Sequence, residues 1–152
     1  HRDLHYPLRR QRQMCIRDRD VDHFNQINET YGHDIGDRVL REIGQAISTS
    51  IRQTDYLVRH GGDEMILVMP GAPSDVAERR AEQFRKTIQD LVIPLEGQVL
   101  DAFTVSIGVA AYPEHGTTKE ELAHSADEAL QQAKTSGRNR VVMAKRPRSQ
   151  NS

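Results

Sequence analysis

Two short acidic clusters carry the chemistry in this chain. The first is Arg59-His60-Gly61-Gly62-Asp63-Glu64-Met65, with two glycines and two acids at the tip of an expected hairpin. Asp55-Tyr56-Leu57-Val58 precedes it and Ile66-Leu67-Val68-Met69-Pro70 follows. A Gly-Gly turn lets backbone approach a ligand closely, because no side chain stands in the way. Carboxylates beside such a turn can hold a hard cation that a phosphate would share. The second cluster is Asp20-Val21-Asp22. Together they point to a metal-nucleotide site. On residue type alone, Asp20 also reads as a helix N-cap and Asp63 as a turn acid.

The elements that must position these acids follow in order. Phe24 and Ile27 mark a short helix after Asp22. Val39, Leu40, Ile43, Ile47 and Ile51 keep one face of a helix near residues 37–52. After the hairpin, Ser74 reads as an N-cap, and Ala77, Ala81, Phe84 and Ile88 line a second long helix. Residues 98–100 and 103–111 read as strands. Thr118 with Glu121 forms a capping box. Leu122, Ala126, Ala129, Leu130 and Ala133 then carry a helix toward Gly137, a C-cap. Val141-Val142-Met143 is a short last strand, and residues 145–152 form a polar tail. A hairpin amid imperfect alternation of strands and helices favours an α+β fold with a central, mostly antiparallel sheet flanked by helices.

The 152 residues suffice for one domain with a core. The formal net charge of -1 hides an asymmetry. Residues 1–19 hold six arginines and two aspartates, and the remainder has 15 basic and 20 acidic residues. That balance offers no basic face for nucleic acid, so no nucleic-acid partner is expected. No apolar run is long enough to span a membrane, and a cytoplasmic location is expected, with attachment of a parent protein to a membrane sensor left open.

The first nineteen residues have no apolar period, and no apolar stretch follows the arginines as a signal peptide would require. Arg9-Arg10-Gln11-Arg12-Gln13-Met14-Cys15-Ile16-Arg17-Asp18 resembles the translation of a transposase-type sequencing adapter. Residues 1–19 are therefore read as a non-native leader, with a natural basic leader as the alternative. Cys15, the only cysteine, falls within it, so no disulfide is possible within the chain. An acidic metal site needs a strand beneath it, so the strand that should deliver Asp20 is either missing or filled by these leader residues.

Beyond residue 19 the chain resembles the GGDEF family of diguanylate cyclases. Gly61-Gly62-Asp63-Glu64-Met65 is the signature. Asp20-Val21-Asp22-His23-Phe24 and Asn28-Glu29-Thr30-Tyr31-Gly32-His33-Asp34-Ile35-Gly36-Asp37 precede it. Thr104-Val105-Ser106-Ile107-Gly108-Val109, Ala126-Asp127-Glu128-Ala129-Leu130 and Ala133-Lys134-Thr135-Ser136-Gly137-Arg138-Asn139 follow. The motifs run in the family's order over residues 20–144, read as a domain without its first strand and helix. The resemblance implies a nucleotidyl-cyclase or polymerase-palm-like, ferredoxin-like fold. It implies condensation of two GTP into cyclic di-GMP and two pyrophosphates across a homodimer, with magnesium or manganese. Asp20, the Val21 carbonyl and Asp63 are the implied metal ligands, and Glu64 the acid that assists the attacking 3′-hydroxyl. Gly61 and Gly62 admit the substrate closely. Backbone near His23 and Phe24, with Lys134 and Arg138, are implied to hold phosphates, and Asn28 and Asp37 to read guanine. Lys134 and Arg138 also read as charges complementing a helix C-terminus, and Asp37 as an N-cap.

Arg52-Gln53-Thr54-Asp55 resembles the family's inhibitory motif, at which bound cyclic di-GMP meets Arg52 and Asp55, with Arg79 as a further contact. Gln83 stands where the family often has another arginine, Asn25 where it has lysine, and Met65 where it has phenylalanine. Two other readings stand beside the enzyme: a non-catalytic receptor of GTP or cyclic di-GMP, and an inert fragment. An upstream sensor domain is expected in the parent.

Overall fold

The computed structural model describes residues 14–59 and 65–145. Its elements are β1 (Met14–Val21), α1 (Phe24–Tyr31), α2 (His33–Ser48), β2 (Tyr56–Arg59), β3 (Met65–Val68), α3 (Ser74–Gln89), β4 (Pro94–Leu95), β5 (Gln98–Val99), β6 (Val105–Ala111), α4 (Lys119–Thr135) and β7 (Val141–Met143). The five-stranded sheet runs β2-β3-β1-β6-β7, and β4 with β5 makes a separate ribbon. All pairs in the large sheet are antiparallel except β6 with β7.

β1 occupies the centre of the sheet. It pairs with β3 from Cys15↔Val68 to Asp18↔Met65, and with β6 from Met14↔Ala111 to Val21↔Val105. The slot before Asp20 is therefore filled, by residues that the sequence reading assigned to the leader. Both neighbouring strands have ladder partners, and the strand begins six residues before the boundary drawn at Asp20. A shift in register between Asp18 and Val21 bends the strand where the acidic cluster starts.

β6 is buried along its whole length, and its two faces serve two layers. Val105, Ile107, Val109 and Ala111 pack with α2 and α3 around Val39, Ile43, Ala81, Phe84 and Ile88. Ala110 turns to α4, beside Leu122, Ala126 and Ala129. Gly108 is on that face too, and a Cβ there would lie 2.2 Å from the Ala126 carbonyl oxygen and 2.5 Å from the Leu130 nitrogen. The α4 backbone therefore rests directly on the strand. Full burial of side chains such as Ile43 and Ile107 stabilises by roughly 1.5–3 kcal/mol each.

Helix ends differ from the sequence expectations in small, explicable ways. α2 starts at His33 rather than near residue 37, because Gly32 at φ 92° closes α1 through its N–H to Asn28 and opens α2 at once. Asp37 is thus inside α2 and does not cap it. α2 stops at Ser48, where the Thr49 and Ser50 hydroxyls take the Ala46 carbonyl, and Ile51 packs on the core from the turn beyond. Pro73 stands at the N-cap position of α3, one residue before Ser74. The strand expected at 98–100 belongs to the small ribbon, folded back at Gly97. The capping box on α4 is present: Glu121 N–H donates to Thr118 Oγ1 at 3.1 Å, and Thr118 N–H to Glu121 Oε1 at 3.2 Å.

Candidate active site

The end of β1, the start of α1 and the end of α4 surround a cavity of about 340 Å³. Val21, Asp22, His23, Phe24, Lys134 and Arg138 line it. Sequence positions more than a hundred residues apart thus meet at one end of the central strand. His23 turns the chain there with φ 60° and ψ 35°, which aims the first turn of α1 at the cavity. The opening amides of a helix have no intrahelical acceptor and carry partial positive charge. Across the cavity stand the two cationic side chains of the α4 end. Arg138 is held at φ 63°, its N–H on the Ala133 carbonyl at 2.9 Å.

Asp22 organises this edge. Its residue is 5% exposed, yet its carboxylate accepts from Thr104 Oγ1 at 2.6 Å, Ser106 Oγ at 2.7 Å and the Asn139 N–H at 3.0 Å. Its own N–H donates to the Thr104 carbonyl. One buried acid therefore ties β1 to β6 and to the loop that carries Arg138. A buried carboxylate is tolerated because hydrogen bonds meet its charge. Sequence reading placed Asp22 in the acidic cluster of a metal-nucleotide site but gave it no individual role. The available signal was polar Thr104 and Ser106 alternating with Val105 and Ile107 on an otherwise apolar strand.

Asn28 lies on α1, facing α2. Its Oδ1 is buried without a hydrogen-bond partner, and a Cβ at Gly36 would come within 1.9 Å of it. The missing Cβ at Gly36 is what lets the Asn28 side chain pack against α2. Asp37, the next residue after that glycine, is exposed on α2. Asn28 and Asp37 do not line the cavity with Lys134 and Arg138; they sit on the adjoining helix pair.

Gly61, Gly62, Asp63 and Glu64 lie outside the described residues, as does the side chain of Asp20. The sheet nevertheless fixes where their segment departs. β3 begins at Met65, opposite Asp18 of β1, and Arg59 of β2 pairs with Met65. β2 thus ends and β3 begins near the end of β1 that carries Asp20 and Val21. Among the described residues no group of three or more His, Cys, Asp or Glu side chains could hold a metal.

Arg52 and Asp55 are together on the far side of the hairpin. The Asp55 carboxylate is fully buried and accepts from the Arg52 N–H at 2.8 Å, Arg52 Nη2 at 2.9 Å and Arg80 Nη1 at 3.1 Å. Arg52 Nη2 also donates to the Pro70 carbonyl, and its side chain is 46% exposed. Arg79 stands away from this group, 67% exposed and 3.8 Å from Asp75. Arg80, which the sequence reading passed over, is the α3 arginine that reaches Asp55. Its guanidinium also lies over the Phe84 ring at 5.7 Å. His115, the buried histidine, accepts the Ala111 N–H on Nδ1.

A central, mostly antiparallel sheet with β1 in the middle, helices over its faces and a cavity at one strand end define a mixed α and β domain of the palm-like class. The chain matches the diguanylate cyclase, GGDEF-domain family over residues 2–140, and it belongs to that family. It is 40% identical over 126 residues to diguanylate cyclase DosC of Escherichia coli strain K12, which covers 83% of this chain and 27% of that protein. The solved structure of the active GGEEF domain of a diguanylate cyclase from Vibrio cholerae matches with TM-score 0.82 and 29% identity, covering 91% of this chain and 86% of that one. The GGDEF domain of DgcB from Caulobacter crescentus, in complex with c-di-GMP, matches with TM-score 0.77 and 29% identity over 88% of this chain and 77% of its own. The chain spans about a third or less of the length of the curated relatives it matches. No described helix is long and apolar enough to cross a membrane.

Proposed function

We propose that this chain is the catalytic domain of a diguanylate cyclase, joining two GTP molecules into cyclic di-GMP with release of two pyrophosphates. The observation that carries the reading is the convergence of Lys134 and Arg138 with the first turn of α1 on one cavity at the strand edge that delivers Asp20. Cations and helix-start amides facing each other suit a polyphosphate chain. Asn28 and the exposed Asp37, on the adjoining helix pair, read the guanine base.

The donor set fits a hard divalent cation, since Asp20, the Val21 carbonyl and Asp63 offer only oxygen. Magnesium or manganese held there would neutralise charge on the reacting phosphates. Lys134 and Arg138 orient the phosphates, and Glu64 takes up the proton of the attacking 3′-hydroxyl. Each domain holds one GTP, so turnover requires two domains face to face. Arg52, half-exposed, keeps Nε and Nη2 on the buried Asp55 and offers the rest of its guanidinium to the guanine edge of a bound product. Asp55 holds that guanidinium in place, and the exposed Arg79 of α3 adds a further contact to the product. Feedback inhibition by cyclic di-GMP follows from such binding.

Asp37→Ala tests the guanine assignment. Affinity for GTP should fall while that for ATP changes little, because adenine lacks the paired N–H donors. Equal losses for both nucleotides would remove Asp37 from base reading.

A further inference from the structure

Gly137, Arg138 and Asn139 are three consecutive residues at positive φ, 121°, 63° and 47°. Glycine adopts this freely and asparagine at modest cost, but arginine is strained there and stays only where its surroundings hold it. Asn139 is gripped from two sides. Its N–H donates to Asp22 Oδ2 at 3.0 Å, and its Oδ1 accepts from Arg85 Nη1 at 2.7 Å. Arg85 comes from α3, an element that contributes no residue to the cavity. Its side chain is 13% exposed, and Glu82 accepts from its Nε at 2.9 Å and from its Nη2. Gln89 Oε1 accepts from Nη1 at 3.2 Å. This guanidinium is thus pre-set, with one edge on Glu82 and the other on the loop.

We propose that Arg85 is a positioning residue for the phosphate end of the cavity: through Asn139 it holds the left-handed turn that presents Arg138 beside Lys134. The ligand's identity as a polyphosphate rests on the cyclase reading, whereas the hold on the turn is independent of it. Glu82 keeps the guanidinium fixed, so the contact to Asn139 needs no reordering when an anion arrives. Lysine at 85 is one point charge and cannot serve Glu82 and Asn139 together as the fork does.

The test uses the full chain with inorganic tripolyphosphate as probe, so that base contacts play no part. Backbone hydrogen exchange is followed in the same samples. Arg85→Ala should speed exchange of the Asn139 amide and leave Ile107–Val109 of β6 protected as in the wild type. It should weaken tripolyphosphate binding about tenfold, the loss of one charge-assisted hydrogen bond. Asn139→Ala, which leaves the Glu82–Arg85 pair intact, should do the same and guards against a fold defect at position 85. Adding Asn139→Gly to Arg85→Ala should return affinity to within about threefold, because glycine adopts the left-handed turn without support. Unchanged exchange and affinity in Arg85→Ala, equal loosening of β6, or no rescue by glycine would each overturn the proposal. Failure of the wild type to bind tripolyphosphate would instead sink the phosphate reading of the cavity.

Discussion

Arg80 donates to the buried carboxylate of Asp55 at 3.1 Å, across the seam between α3 and the turn that leads into β2. The same carboxylate receives Arg52, so one acid satisfies two guanidiniums, one 15% and the other 46% exposed. Removing the acid leaves the more buried charge without its ion partner. Asp55→Ala should therefore cost about 3 kcal/mol, measured by chemical denaturation. Arg52→Ala removes a solvent-screened partner and should cost only about 1 kcal/mol. Equal losses in the two variants would show that Arg80 does not depend on Asp55.

The exposed half of the same pair bears on feedback. Arg52→Ala should raise the cyclic di-GMP concentration that halves the initial rate by about tenfold, as expected for loss of one charged fork. Progress curves run with and without a product-removing phosphodiesterase measure this. Identical half-inhibition in wild type and variant would leave Arg52 a purely structural residue.

Gly108 and Gly44 should respond to alanine with opposite signs. At Gly108 the new methyl would meet the α4 backbone 2.2 Å away, and neither strand nor helix can yield without moving the core. A loss of about 2 kcal/mol or more is expected. Gly44 is inside α2 with nothing within 4 Å of its Cβ position, so alanine there should stabilise by about 0.5–1 kcal/mol through helix propensity. Denaturation midpoints of the two variants check both signs at once.

The Glu82–Arg85 pair sets an acid-side dependence. The hydrogen bond from Arg85 holds the Glu82 carboxyl below its ordinary range, and the same bond raises Arg85. Between the folded and unfolded values of Glu82, the unfolded chain binds the extra proton. This contribution is thus complete above the ordinary value of about 4.3 and is lost as pH falls through the lower folded value. Glu82→Gln should flatten the fall in melting temperature below about pH 4. An unchanged acid limb would contradict the assignment.

Much of this architecture was legible in residue order, because amphipathic period and caps report directly on burial. Ala77, Ala81, Phe84 and Ile88 read as one face of α3 and are buried there. The same helical phase places Arg80 beside Phe84 on the rim of that face and Arg79 further out toward solvent. The phase thus held the signal for Arg80 as Asp55's partner. The central strand was less legible, since Met14-Cys15-Ile16-Arg17-Asp18-Arg19-Asp20 lacks the apolar run of a buried strand. Asp22 was missed for another reason. A buried acid is recognisable only from its donors, and those are Thr104, Ser106 and Asn139, far along the chain. The motifs resembling a known family include Val21, Phe24, Lys134 and Arg138, which line one cavity, but they give no sign of the Arg85–Asn139 tie behind it.

The central claim is tested most directly by incubating the purified chain with GTP and magnesium and following cyclic di-GMP and pyrophosphate by mass spectrometry and enzymatic assay. The account predicts both products in the ratio of the condensation, a rate that rises more steeply than in proportion to protein at low concentration, and no product from Asp63→Asn. Tight GTP binding by the wild type with no cyclic di-GMP formed, or full activity in Asp63→Asn, would contradict it.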